Sequence, residues 1–147
     1  MRIIKLGALS LFFLSLVVFL ISLMIPSQVR ISRAINVMAS KESVRVRLVN
    51  LGQWKQWNEL ISDRTTITML HTSADTVITS WKGRGRPVSS SFAMEESGGT
   101  TVLQWYFDFK LKWYPWEKFG SIIFDKQFGI PMEQSLNNLK NQLENNP

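Results

Sequence analysis

The stretch Leu6 to Ile25, LGALSLFFLSLVVFLISLMI, carries no charge, no proline and a single glycine. Nothing else in the chain limits its folding as tightly. Its 20 residues, at about 1.5 Å of rise each, make a helix of about 30 Å, the hydrocarbon thickness of a bilayer. A cleaved signal peptide is the other reading of such a run, but its apolar region covers only about 7–15 residues and ends at a small-x-small site. Here the run is longer and leaves through Leu23-Met24-Ile25-Pro26. The expectation is an uncleaved single-pass helix in the cell membrane over residues 6–25, behind a short basic tail (1–5) and ahead of one domain (26–147). Arg2 and Lys5 favour keeping the tail in the cytoplasm, while Arg30 and Arg33, just past the span, pull the other way. The balance tilts towards an extracytoplasmic domain.

Roughly 120 residues follow the span, enough for one hydrophobic core. The chain has 17 basic and 11 acidic residues, and removing Arg2 and Lys5 leaves 15 against 11, a mild excess. No helix-turn-helix, zinc knuckle or RNA-binding aromatic motif accompanies it, which argues against nucleic acid as a partner. The basic clusters, Arg30 to Lys55 and Lys82, Arg84 and Arg86, read as a solvated face and a hairpin turn, with attraction to anionic lipid headgroups as the functional alternative. Cysteine is absent, which fits either side of a membrane.

After Pro26, Val29, Ile31, Ile35 and Val37 alternate with polar or small residues at the period of a half-buried strand; Arg33 breaks the apolar side, as near a strand's open end. Ser40 can cap a helix with Glu42 in its first turn. Val44, Leu48 and Leu51 then fit helical spacing, yet Val44 to Leu48 also alternates with period two, so local pattern leaves both states open. The segment from Leu51 to Asn58 reads as a turn into a short helix with Trp54 and Trp57 on one side. Four strands follow, Thr65–Leu70, Thr76–Trp81, Val88–Glu95 and Thr101–Trp113, separated by Ser-Ala-Asp, Gly-Arg-Gly-Arg-Pro and Ser-Gly-Gly turns. In the last, Leu103, Trp105, Phe107, Phe109, Leu111 and Trp113 alternate without a miss. Tyr114-Pro115 ends it. Met132, Leu136, Leu139 and Leu143 then predict an amphipathic helix, kinked at or restarted by Gly129 and Pro131, with Asn137, Asn138, Lys140, Asn141 and Gln142 towards water.

The segments Ile31 to Val44, Leu51-Gly52-Gln53-Trp54-Lys55-Gln56-Trp57 and Phe124 to Lys140, the last closing on E-x-x-L-x-x-L-K, occur in an order that resembles the START-like (SRPBCC, polyketide cyclase-like) superfamily, in its membrane-anchored branch. The resemblance covers Val29 to Glu144. It implies an α+β helix-grip fold, an antiparallel sheet wrapped on a long C-terminal helix, and it settles Lys41 to Leu51 as helix. It also implies a cavity for a hydrophobic ligand between sheet and helix. One departure stands out: four strands follow the helical pair where the superfamily has six, so the sheet is short of one or two strands.

Chemistry-bearing groups are few. His71 is the single histidine, no nucleophile-elbow, P-loop, zinc or dinucleotide motif occurs, and Asp63, Asp75, Asp108 and Asp125 are scattered, so neither a metal site nor a cofactor is expected. Glu95-Glu96 reads as a strand end and Asp108 as solvated surface. The aromatics are the better clue. Trp81, Phe92, Trp105, Phe107 and Phe109, facing Met132 and Leu136 of the last helix, are the expected wall of a pocket, or else a plain core. The reading is a membrane-tethered, non-catalytic binding module for a hydrophobic or lipid-like molecule. The alternatives are a cyclase- or hydrolase-like enzyme using His71 or Tyr106, and an interaction module with a filled core and an exposed sheet edge; the sequence names no protein partner.

Overall fold

The computed structural model describes residues 2–83 and 85–145; Met1 of the tail, Arg84 of the basic turn, and Asn146 and Pro147 at the end of the expected domain lie outside the described residues. In chain order the elements are α1 (Arg2–Met24), β1 (Gln28–Val37), α2 (Lys41–Val49), a 3-10 helix (Leu51–Gln56), β2 (Thr66–Thr72), β3 (Thr76–Lys82), β4 (Val88–Ser97) and β5 (Thr100–Lys110). There follow α3 (Pro115–Gly120), a 3-10 turn (Ser121–Ile123), a π-helical turn (Asp125–Gly129) and α4 (Ile130–Asn145). They fall into two compact units.

The first unit runs through Val29 and takes up Lys110–Ile123. Helix α1 covers the apolar run and is long and apolar enough to cross a membrane. Helix α3 packs on it. The buried Lys118 ammonium donates to the Ile25 carbonyl at 2.9 Å, which sets a cation where α1 ends and its carbonyls lack helical partners. The alternation of Leu111 and Trp113 extended the expected last strand too far. β5 stops at Lys110, because Tyr114 is extended and Pro115 opens α3. Trp113 is therefore exposed rather than part of the sheet's inner face.

The second unit comprises Arg30–Phe109 and the chain from Phe124. Its sheet has the order β1-β5-β4-β3-β2, with β2 to β5 a meander of antiparallel pairs. Five strands are present among the described residues, so four follow the helical pair, as the sequence predicts. The β4–β5 hairpin closes through Gly98 and Gly99 at φ +59° and +79° between the paired Ser97 and Thr100. A two-residue loop of this hand requires positive φ at both positions, which glycine reaches without a Cβ clash.

Segment 41–49 is helical. Ser40 accepts from the Ser43 amide at 3.3 Å, and Glu96 accepts from the Lys41 amide at 2.9 Å. The 3-10 helix turns Trp54 and Trp57 inward with ring centres 5.3 Å apart. On α4, Met132, Leu136, Leu139 and Leu143 are all buried, confirming the stripe. Helical backbone runs on through this junction, with Phe124 and Ile130 both in the right-handed helical region: the turn between them widens to π spacing, and α4 follows from Ile130 with Pro131, which lacks the N–H an upstream carbonyl would need, in its first turn.

Two side-chain expectations fail. Asn138 and Gln142 are half-buried, donating to the Trp57 and Gln56 carbonyls at 3.3 Å each and pinning α4 to the 3-10 helix. Arg33 lies mid-strand instead of near an open end. Its guanidinium donates to Asp125 at 2.9 Å over Gly129, where any Cβ would overlap it.

Candidate functional site

The inner face of the sheet divides into a filled half and an open half. In the filled half Phe92 stacks on Trp105 at 4.9 Å and 19°, with Trp54 and Trp57 against the pair, and all four are fully buried. Two indole N–H groups, that of Trp105 there and that of Trp81 beside it, use small hydroxyls of the sheet, whereas Trp54 donates to the Leu48 carbonyl at 3.0 Å and the buried Trp57 N–H has no hydrogen-bond partner among the described residues. Trp105 donates to the Ser90 hydroxyl at 2.7 Å; Trp81 donates to Thr79 at 3.0 Å, which in turn donates to the Ser90 carbonyl at 3.3 Å. These bonds fix both rings, because a buried N–H left unpaired is costly.

The open half holds a cavity of about 270 Å³. Trp81 and Val88, paired across β3 and β4, supply one wall; Phe107 and Phe109 of β5 supply another, their rings 6.0 Å apart. Phe128 of the π turn closes over them at 5.9 and 4.8 Å. Leu60 adds a last apolar side chain, while Thr65, Gly83, Gly85 and Arg86 border the space. The arrangement can desolvate an apolar guest and offers it little directed polar chemistry.

Of the residues expected to form a pocket wall, Trp81, Phe107 and Phe109 line this cavity. Phe92 and Trp105 sit in the filled half, and Met132 is fully buried; none of the three borders it. Leu136 edges a separate groove of about 300 Å³ with Arg33, Ala34, Ile35, Glu133 and Asn137. Leu60, Val88 and Phe128 were not anticipated. Val88 was legible, since it shares a face with Ser90 and Phe92 by alternation; Leu60 and Phe128 lie outside any strand and are brought in by tertiary packing.

His71 and Tyr106, the groups named for the enzyme alternative, do not line the cavity. His71 is exposed on edge strand β2, beside a register shift between Met69 and His71. Tyr106 alternates away from Trp105 and Phe107, under the Arg30 guanidinium at 4.5 Å. Asp108 is not simply solvated: it takes Arg30 through two bonds of 2.6 and 3.0 Å, and these hold the Arg30 pKa above its ordinary value. Among the described residues, no three His, Cys, Asp or Glu side chains group as a metal site would require.

No family model and no curated protein matches the sequence. Solved structures do match in fold. CalU16 from Micromonospora echinospora has 13% identity and a TM-score of 0.60 over 82% of this chain and 84% of its own. A START superfamily protein from Mycobacterium smegmatis has 17% identity and a TM-score of 0.60, covering 79% and 97%. StfQ, a di-domain ARO/CYC of the steffimycin biosynthetic pathway, reaches 0.62 at 8% identity; the chain covers about half of it, 51%, and 80% of itself is matched. With its five-stranded sheet and long closing helix, the chain has the START-like, helix-grip fold of these proteins.

Proposed function

We propose that this is a membrane-tethered module that binds a hydrophobic or lipid-like small molecule and does not transform it. The observation that carries the reading is the 270 Å³ cavity walled by Leu60, Trp81, Val88, Phe107, Phe109 and Phe128. Its volume falls just under the range of about 300–1,000 Å³ usual for small-molecule sites, which suits one ring system or the end of an acyl chain. The fold supports the same reading, and α1 supports the tether. Anchored through residues 6–25, the domain at 26–147 would meet apolar molecules at the high local concentration of the bilayer. The basic tail at Arg2 and Lys5 supports an extracytoplasmic side.

The enzyme alternative loses support because its two named groups stand outside the cavity. The interaction-module alternative asks for a filled core and an open edge. Only half the inner face is filled, and the shift at Met69/His71 interrupts edge strand β2 in the way that discourages strand addition.

The test is native mass spectrometry with organic extraction on the full chain, released from detergent, beside a Val88→Trp variant that fills the cavity. A stoichiometric apolar molecule in the wild type, absent from a Val88→Trp protein with the same circular dichroism, supports the reading. Folded protein without an adduct, or an adduct that survives Val88→Trp, overturns it.

A further inference from the structure

Two tryptophans break the pattern of the other four. Trp54, Trp57, Trp81 and Trp105 are buried, whereas Trp113 is 61% and Trp116 70% exposed. Ile122 and Ile123, a few residues on, are 67% and 56% exposed. Tyr114 joins the two indoles into one surface, stacking on Trp116 at 4.9 Å and 5° and meeting Trp113 at 4.8 Å. The Lys112 ammonium lies 5.5 Å from the Tyr114 ring centre. Indoles and a phenol with a lysine beside them form the side-chain set that favours a membrane–water boundary, where an apolar body and a polar tip are both satisfied.

The position of this surface along α1 says what covers it. Trp113 meets Phe19 of α1, ring centres 6.3 Å apart, and Lys118 holds the Ile25 carbonyl just past the helix end. Phe19 precedes the end of α1 at Met24 by five residues, about 7 Å along the axis at about 1.5 Å per residue. Trp113 therefore stands about 7 Å back from the helix end, within the depth of about 5–10 Å at which interfacial helices bury their apolar face. We infer that Trp113, Tyr114, Trp116, Ile122 and Ile123 form an interfacial wedge, seated in the headgroup region of the leaflet from which α1 emerges, with Lys112 towards anionic headgroups. The inference rests on α1 spanning the bilayer. Its occupant is the lipid surface itself rather than a protein or a second copy, because the depth set by Phe19 leaves Trp113, and the Tyr114 and Trp116 rings that continue from it, at lipid level.

The chain has no cysteine, so single-cysteine variants of the full protein can carry one environment-sensitive fluorophore each. Ile122→Cys and Trp116→Cys report on the wedge, Val18→Cys on the span, and Thr68→Cys, exposed on β2, on the aqueous baseline. The proteins are reconstituted in vesicles of phosphatidylcholine and phosphatidylglycerol bearing a nitroxide on a shallow or a deep acyl carbon. The expected result is that the Ile122 and Trp116 labels lose most of their emission to the shallow nitroxide, Val18 responds to the deep one, and Thr68 responds to neither. Labels at 122 and 116 that behave like Thr68, with Val18 quenched, overturn the wedge and leave the span standing. A Val18 label that escapes quenching overturns the span, and the wedge with it.

Discussion

The Trp105 indole N–H donates to the Ser90 hydroxyl at 2.7 Å across β4 and β5, and both residues are fully buried. The bond sets the ring that Phe92 stacks on, and so fixes where the filled half of the inner face ends. Ser90→Ala removes the acceptor and leaves the indole N–H unpaired in an apolar setting, at a cost of about 1–3 kcal/mol. Urea unfolding followed by circular dichroism would register it as a lower midpoint at an unchanged slope. An unshifted midpoint would mean the hydroxyl is not what satisfies Trp105.

The β4–β5 turn offers a sharper backbone test. A Cβ on Gly98 would meet nothing within 4 Å, so any penalty for Gly98→Ala comes from its φ of +59° alone. The expected loss is about 1–2 kcal/mol, the cost of holding an L-residue in the left-handed region. Gly120 also has open space around it and lacks a positive φ, so Gly120→Ala should leave the unfolding midpoint where it is or raise it. Equal effects at the two positions would contradict the turn geometry.

Much of this was legible in the chain because the signals were local. Leu103, Trp105, Phe107 and Phe109 alternate, and the strand that bears them buries one face; Ser40 caps because its hydroxyl reaches an amide three residues on. Between Val44 and Leu48 two periods coincide, and the resemblance to a known fold rather than the pattern decided for helix. What was illegible is non-local. Arg33 is explained by Asp125, 92 residues away, and no spacing rule connects them. Leu111 and Trp113 keep the strand's period after the strand has ended, since alternation reports polarity and not pairing. Facing inward also says nothing of space: Phe92 and Phe107 share a face, yet one lies in a packed cluster and the other borders a cavity.

Two ion pairs at the start of α2 give the fold a pH window with opposite edges. The Arg45 guanidinium bonds Glu42 at 2.7 and 2.9 Å and holds its carboxyl below the ordinary 4.5. That contribution is complete above 4.5 and vanishes as pH falls through the depressed native value. The Lys41 bond to Asp75 raises the ammonium above its ordinary 10.5, so its contribution is complete below 10.5 and is lost as pH climbs through the raised value. The difference in Tm between wild type and Glu42→Gln should be constant between those limits and close in acid, while that for Lys41→Met should close in alkali. Both pairs are at the surface, so added salt should shrink both differences. A Glu42→Gln difference that widened in acid would reverse the assigned sign.

The division of the inner face predicts that two phenylalanines of similar burial respond differently to truncation. Phe92, enclosed by Trp54, Trp57 and Trp105, has no neighbouring void to collapse into, so Phe92→Ala should carry the full transfer and cavity cost of about 3–5 kcal/mol. Phe109 touches Phe107, Phe124 and Phe128 but already borders open space, so its neighbouring rings have room to close over the gap. Phe109→Ala should therefore cost less, by about 1 kcal/mol or more given how strongly the penalty follows residual cavity volume. The order should invert for ligand uptake. Binding of an apolar fluorescent dye to the full chain should change for Phe109→Ala, whose wall the dye touches, and stay as in wild type for Phe92→Ala at temperatures where both remain folded. Equal stability losses would place both rings in one continuous core, and a dye response confined to Phe92→Ala would move the cavity to the other half of the sheet.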